Sequence, residues 1–123
     1  VVGVFGYSDE EGTEGAGLGG KLPADVVAER VARVTDLVEQ LTAQRAEERV
    51  GEQVVVLVEE LDEDGIAVGR AEIQGPDVDG TTRLQDGASG MPSGMPLGRV
   101  AVGDLVTAVV VGSEGVDLVA EAR

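Results

Sequence analysis

The sequence predicts a mainly β protein, a small five-stranded antiparallel barrel preceded by one amphipathic helix. After residue 51, short β-branched runs alternate with turns marked by Gly, a pattern typical of small barrels. Between residues 23 and 50, apolar residues recur at spacings of three and four, which is typical of a helix with one packing face. The length of 123 residues fits one domain, with either a single compact core or a smaller core with appendages.

The first zone, residues 1–22, opens with an apolar run over residues 1–7. Its β-branched and aromatic composition predicts a strand, although no partner strand lies nearby in sequence. The Gly-rich residues 15–20 predict a loop, because Gly at this density disfavours helix and strand alike. Since the chain starts without Met and inside an apolar run, we expect it to be part of a longer protein.

The second zone, residues 23–50, is predicted to be one helix. Pro23 suits the first helical position, and Gly51 can act as the stop signal. One stripe should pack against a barrel or another domain, and it consists of Val27, Val31, Val34, Val38 and Leu41.

The third zone, residues 51–123, is predicted to contain the barrel. Strands are expected at residues 53–58, 66–73, 81–84, 105–111 and 116–120, with a turn at residues 112–115. The first of these strands is apolar on both faces, so we expect its outward residues Val55 and Leu57 to be covered by the helix or by a domain outside this chain. The Gly, Pro and Ser content of residues 86–98 predicts a mobile loop.

Composition excludes several kinds of chemistry. Neither Cys nor His is present, so the chain can hold no disulfide, no thiolate zinc site and no cysteine-bound iron–sulfur cluster, and a Ser-His or Cys-His catalytic pair is excluded. We therefore expect no metal, no cofactor and no catalytic residue within these residues. The longest apolar stretches fall well short of the roughly 20 residues that cross a bilayer, and no signal-peptide pattern is present, which predicts a cytoplasmic protein without membrane contact.

Charge indicates the kind of partner. Nine Lys and Arg against 24 Asp and Glu give a net charge of -15, which opposes binding to nucleic acid and favours a basic partner. The aromatic residues on which bases stack are limited to Phe5 and Tyr7. Residues 50–123 alone carry 14 carboxylates against four Arg.

The strongest candidate site is an acidic run that ends at Gly65. It places five carboxylates in six positions, namely Glu59, Glu60, Asp62, Glu63 and Asp64, and Gly65 permits a tight hairpin. Two interpretations stay open: a docking patch for Lys and Arg of a partner protein, or a hairpin end kept in solution by its charge. A calcium site is not predicted, because the spacing does not match an EF-hand.

Several short motifs, in this order and spacing, resemble the C-terminal end of radical S-adenosylmethionine methylthiotransferases. Their helix and barrel resemble the linker and the OB-like TRAM domain of that family. The matching motifs cover nearly the whole chain and lie at residues 7–13, at Leu37, Gln44, Val50 and Gly51, and at residues 54–60, 80–82, 103–106 and 112–119.

Within that family the chain resembles the RimO-type branch, which modifies the twelfth protein of the small ribosomal subunit. The tRNA-modifying branch tends to carry Arg and then Pro where this chain has Glu10 and Glu11, and a strongly acidic barrel suits a basic protein better than tRNA. The resemblance implies that the full enzyme methylthiolates an aspartate with S-adenosylmethionine and two [4Fe-4S] clusters. This part, which lacks every ligand Cys, would be inactive alone and would recruit the basic ribosomal protein.

The resemblance also implies a division of the chain. Residues 1–22 would end the radical domain, residues 23–50 would form the linker helix, and residues 51–123 would form the TRAM domain. Tyr7 and Ser8 would then line the cofactor or substrate cavity of the intact enzyme. Two alternatives stay open: an RNA-binding TRAM module of a tRNA methylthiotransferase, and a purely structural domain that supports the remainder of the enzyme.

Overall fold

The computed structural model describes residues 1–85 and 100–123 of the chain. Two compact units are found, Val2–Leu41 and Thr42–Arg123, and the second also includes Val1. The loop that the sequence predicts at residues 86–98 lies outside the described residues.

The segment before the helix is irregular. Residues 1–10 form neither helix nor strand, so the strand predicted at residues 1–7 is wrong. A strand is stabilised by its ladder of hydrogen bonds, and no other described segment pairs with this one. Where the sequence predicts a loop from residue 15 onward, Gly15–Gly17 form one turn of 3-10 helix.

Helix α1 spans Ala24–Glu48 and confirms the helix predicted from the apolar spacing. It begins one residue later and ends two residues earlier than the predicted range 23–50. Pro23 precedes the first turn, and its carbonyl accepts the N–H of Val27 at 3.1 Å. The stop signal is confirmed: Gly51 has φ +93, a backbone conformation that Gly adopts readily.

Five strands close into a barrel in the order β1-β2-β3-β5-β4, which confirms the predicted five-stranded barrel preceded by a helix. Four neighbouring pairs are antiparallel, but β3 and β5 are parallel. Alternating directions cannot be maintained around a closed ring of five strands, so at least one parallel pair is required. The strands are β1 Gln53–Leu61, β2 Ala67–Ala71, β3 Thr82–Gln85, β4 Leu105–Glu114 and β5 Asp117–Ala122.

Strand boundaries differ most from the prediction where the ladder is irregular. Strand β1 continues three residues beyond residue 58, and β4 includes residues 112–114, which the sequence predicts as a turn. The register shifts between Val58 and Glu60 in β1 and between Val110 and Gly112 in β4. Each shift accommodates one extra residue in one strand of the pair. Strand pairing therefore continues beyond the residue at which the alternation of inward and outward side chains is interrupted.

The core is made of alternate strand residues together with one helix residue. The predicted inward face of β1 is confirmed, because Val54, Val56 and Val58 are buried while Val55 and Leu57 are only half-buried. Ala46, in the last turns of α1, joins this core. The remaining apolar members are Ala67, Ala71, Leu84, Ala108, Val110, Leu118 and Ala120.

Candidate functional site

The acidic run lies at the end of the hairpin that joins β1 to β2. Strand β1 ends at Leu61 and β2 begins at Ala67, so two of the five predicted acids are strand residues and three belong to the turn. Gly65 has φ +79 and its N–H donates to the carbonyl of Asp62 at 2.9 Å, which confirms the predicted tight hairpin.

Glu59 is the extra residue in the irregular part of β1. Its Oε1 accepts a hydrogen bond from Nε of Arg70 on the neighbouring strand at 2.6 Å. Because the carboxylate is already neutralised by a cation of its own domain, it is less able to attract a cation of a partner. We therefore place Glu59 among the residues that hold the hairpin.

Asp62 stabilises the turn through hydrogen bonds from backbone N–H groups to its side chain. Its Oδ1 accepts the backbone N–H of Asp64 at 3.0 Å and that of Ile66 at 2.8 Å, and the residue is half-buried. Such bonds from an Asp side chain to nearby backbone groups stabilise turns. Asp62 therefore has a structural role that its charge alone does not indicate.

The other three carboxylates of the run face solvent. Glu60, Glu63 and Asp64 are exposed, and their side chains accept no hydrogen bond from the residues that the structure describes. Three negative charges near one hairpin end can attract Lys or Arg of another molecule without first breaking an ion pair among the described residues.

A second acidic turn joins β4 to β5. Glu114 is exposed, whereas Asp117 accepts the backbone N–H of Thr81 at 2.7 Å and so ties this turn to the start of β3. In the β3–β5 pair, Thr82 at the start of β3 lies beside Leu118, so the β4–β5 turn is near that end of β3. Because β2 is antiparallel to β3, the β1–β2 turn lies near the other end of β3. Glu114, the last residue of β4, is not among the site residues predicted from the sequence; its position directly before Gly115 is the signal that could have found it.

In OB-type barrels the β1–β2 and β4–β5 loops border the face that binds oligonucleotides. Here Glu63 and Asp64 lie in the first of these loops, and Glu60 and Glu114 lie at the strand ends that lead into the two loops. All four carboxylates are exposed. This arrangement repels phosphate groups and favours cationic side chains.

Tyr7 and Ser8 lie in the N-terminal unit. Tyr7 is 61% exposed and its hydroxyl donates to Oδ1 of Asp9 at 3.0 Å. Lys21 completes a cluster that sequence analysis missed: its Nζ lies 2.5 Å from the same Asp9 oxygen, 2.5 Å from the carbonyl of Gly15, and 4.7 Å from the centre of the Tyr7 ring. Ser8 is exposed, and none of the described side-chain hydrogen bonds involves it.

The charges of this Tyr7–Lys21 cluster stabilise one another. The hydrogen bond from Lys21, followed by that from Tyr7, lowers the pKa of Asp9 below its usual 3.8. The bond to Asp9 raises the pKa of Lys21 above its usual 10.5. A lysine held in its protonated form is a poor nucleophile or general base, so the cluster fits loop closure better than catalysis.

The donor set of the chain does not fit an iron–sulfur cluster, because thiolate and imidazole ligands are missing from its sequence. Among residues 1–85 and 100–123, no group of three or more acidic side chains is arranged to hold a metal ion. In the same ranges, none of the helices is both long and apolar enough to cross a membrane.

Residues 50–122 match the family model of the TRAM domain. The match begins beside Gly51, where α1 has ended, and includes all five strands.

Curated relatives extend the similarity to almost the whole chain. It is 62% identical to the ribosomal protein uS12 methylthiotransferase RimO of Kineococcus radiotolerans over 98% of this chain and 24% of the relative. The same-named proteins of Streptomyces avermitilis and Frankia alni are 58% and 51% identical over 98% of this chain, which covers 22% and 25% of their lengths. The chain thus spans about a quarter of the length of these relatives and matches their C-terminal region.

Proposed function

Because the chain belongs to the TRAM domain family and corresponds to the C-terminal part of RimO methylthiotransferases, we propose that it recruits the substrate of such an enzyme. The substrate is ribosomal protein uS12, as the names of the relatives indicate. The residue modified is an aspartate, as the family resemblance implies.

The radical chemistry belongs to the remainder of the enzyme. A full-length enzyme of this kind would use S-adenosylmethionine and two [4Fe-4S] clusters, for which this chain offers no thiolate. The chain alone is therefore inactive, and its contribution is to bind and orient the substrate protein. A cytoplasmic location is part of the proposal, because the partner is a ribosomal protein.

The division of the chain is proposed from the same resemblance. Residues 1–22 end the radical domain, residues 23–50 form the linker helix and residues 51–123 form the TRAM domain. Tyr7 and Ser8, as part of that domain, line its cavity in this proposal, and Tyr7 is oriented by Asp9 and Lys21.

One observation carries the recruiting role: the exposed carboxylates Glu60, Glu63 and Asp64, at one hairpin end of an acidic barrel, have no ion-pair partner among the residues that the structure describes. Opposite charges on a basic partner speed diffusional encounter, and at physiological ionic strength this attraction acts over a Debye length of about 8 Å. The same field repels tRNA, so the surface discriminates between the two substrate classes of the family.

The test is an association measurement with purified uS12. A triple variant, Glu60→Gln, Glu63→Gln and Asp64→Asn, removes the free charges and leaves Glu59 and Asp62 to hold the hairpin. We expect association to slow about tenfold at low salt and its salt dependence to flatten, because steering is lost.

The matched control removes the same charge elsewhere, with Gln in place of Glu29, Glu39 and Glu47 on the exposed side of α1. Equal association rates of the two triple variants would contradict the proposed docking site. Tighter binding of the unmodified chain to tRNA than to uS12 would favour an RNA-binding module. Binding to neither would favour a purely structural domain.

A further inference from the structure

We propose that the outer face where β1 meets β4 binds apolar side chains of the basic partner segment that the acidic hairpin attracts. We name it the Leu57–Leu105 face, formed by Val55, Leu57, Leu105, Thr107 and Val109. The inference rests on the proposed function, because it identifies the second component of the same docking surface.

Register brings the members of this face together. Leu57 of β1 is paired with Leu105 of β4, and Val55 is paired with Thr107. Directly opposed residues of an antiparallel pair point to the same side of the sheet. Since Val56 and Val58 are buried, Leu57 points outward, and Leu105 lies beside it.

Leu105 is more exposed than any other large apolar residue of Thr42–Arg123 that the structure describes, at 71%. Leu57 next to it is only half-buried. The sequence predicts that the outward side chains of β1 are covered by the helix or by a domain outside this chain. Within the C-terminal unit, Leu57 keeps part of its surface exposed to solvent. Contiguous apolar side chains rimmed by charged ones are typical of surfaces that bind another protein.

The face is continuous with the acidic hairpin. Pairing of the two chain segments extends past Leu105, because the N–H of Val58 donates to the carbonyl of Asp104 at 2.9 Å and the N–H of Gly103 donates to Val58 at 2.8 Å. Glu59 and the exposed Glu60 follow directly along β1. The apolar face therefore lies within a few residues of the free carboxylates.

Charge selects the occupant. Arg70, which lies opposite Leu57 in β2, is ion-paired with Glu59, so this cation is neutralised within the domain. The charges left near the face are those of the exposed carboxylates Glu60, Glu63 and Asp64. A second copy of this chain is disfavoured, because residues 50–123 carry 14 carboxylates against four Arg and two such barrels repel each other. A segment with Lys or Arg beside Leu, Ile or Val satisfies both parts of the surface.

The experiment uses the 123-residue chain, with Leu105→Ser against the control Val78→Ser, whose side chain is 63% exposed. The probes are uS12 and two peptides of equal charge, one alternating Lys with Val and one alternating Lys with Ser. We expect Leu105→Ser to dissociate from uS12 and from the Lys-Val peptide about tenfold faster, since burying a leucine contributes that much affinity. The salt dependence of association should stay unchanged, and the Lys-Ser peptide should not distinguish the variants.

The outcomes separate this inference from the proposed function. Equal dissociation rates of the two Ser variants would overturn the apolar docking face and leave the acidic hairpin as a docking site. If the triple variant of Glu60, Glu63 and Asp64 associated with uS12 as fast as its control, the proposed function itself would be overturned. A concentration-dependent dimer of the unmodified chain that Leu105→Ser abolishes would assign the face to a second copy and overturn the inference. Unchanged thermal unfolding of Leu105→Ser shows that the variant is folded.

Discussion

The barrel and the segment before the helix are held by different kinds of interaction. In the barrel, ladder pairs join residues far apart in sequence, as between Val56 of β1 and Val106 of β4, and the inward side chains are buried. In residues 7–21 the side-chain contacts are local and exposed, and they converge on Lys21. The two regions carry opposite charge arrangements as well: like charges accumulate at the barrel hairpin, whereas opposite charges pair at Lys21.

These different interactions imply that the two regions are stabilised in different ways. Burial and strand pairing around a closed barrel stabilise this region, so like charges can be tolerated on its surface and remain available to a partner. The N-terminal segment buries little, and exposed ion pairs contribute only about 0 to 1 kcal/mol each. Substitutions inside the barrel should therefore have large effects on unfolding, and substitutions around Lys21 should alter local order alone.

The largest effect is expected for Gly69→Ala. A Cβ at this position in β2 would overlap the carbonyl oxygen of Leu57, where backbone atoms cannot move aside. We expect a loss of at least about 3 kcal/mol in the free energy of unfolding. Gly112→Ala in β4 is the control, because its Cβ would meet only Val119 at 4.0 Å, and a change within about 0.5 kcal/mol is expected there. Chemical denaturation measures both, and equal values would contradict a close approach at the β1–β2 pair.

A smaller loss is expected for Gln74→Leu. Gln74 is buried, and its Oε1 accepts the N–H of Ala71 at 2.9 Å and the hydroxyl of Thr82 at 2.6 Å, while its Nε2 donates to the carbonyl of Thr81 at 3.1 Å. Removing the amide leaves buried groups unpaired, which should cost about 2 kcal/mol. The exposed Gln85→Leu in β3 serves as control, and a comparable loss there would show that hydrogen bonding at Gln74 is not the cause.

The barrel could be predicted from the sequence because the patterns that indicate it lie within its own strands and turns. Alternating apolar residues identify the inward face of β1, and Gly65 identifies the hairpin. Local patterns do not reveal where a ladder takes an extra residue, so the ends of β1 and β4 were misplaced. The strand predicted at residues 1–7 fails for a related reason, since composition favours a strand but cannot supply a partner.

The candidate site was predictable in location but not in the roles of its residues. Charge density selects the run from Glu59 to Asp64, yet two of its five acids are bound within the hairpin, and the other three have no partner in residues 1–85 and 100–123. Whether a carboxylate is free depends on what faces it across the turn or the strand, as Arg70 faces Glu59. Lys21 was missed because its partners Asp9 and Gly15 become neighbours only when the loop folds back.

Asp62→Ala should show a yet smaller effect on the barrel. Two backbone N–H groups of the hairpin lose their acceptor, which should cost about 1 kcal/mol. Glu63→Gln is the neighbouring control and should leave stability unchanged or slightly higher, because it removes one of several like charges. Thermal unfolding of the two variants measures the difference, and an equal effect would mean that Asp62 acts through its charge rather than through the turn.

The smallest effect on global unfolding is expected for Lys21→Gln, which should alter the N-terminal segment alone. Amide exchange should remain slow in residues 54–58 and 105–111 and become faster between residues 9 and 17, because the loop loses the ammonium that joins Asp9 to Gly15. Glu10→Gln is the control, since the described residues give its carboxylate no hydrogen bond or ion pair.

The pH dependence of the Asp9–Lys21 contact follows from the two shifted pKa values. The pKa of Asp9 is lowered, so its contribution is complete above about 3.8 and is lost as pH falls through the lowered value; the pKa of Lys21 is raised, so its contribution is complete below about 10.5 and is lost as pH rises through the raised value. An NMR pH titration of the Asp9 carboxyl should therefore have a lower midpoint in the unmodified chain than in Lys21→Gln, because that variant lacks the ammonium that lowers the pKa of Asp9. Identical midpoints would mean that Lys21 does not hold the N-terminal segment, and would contradict the contrast with a barrel stabilised by burial.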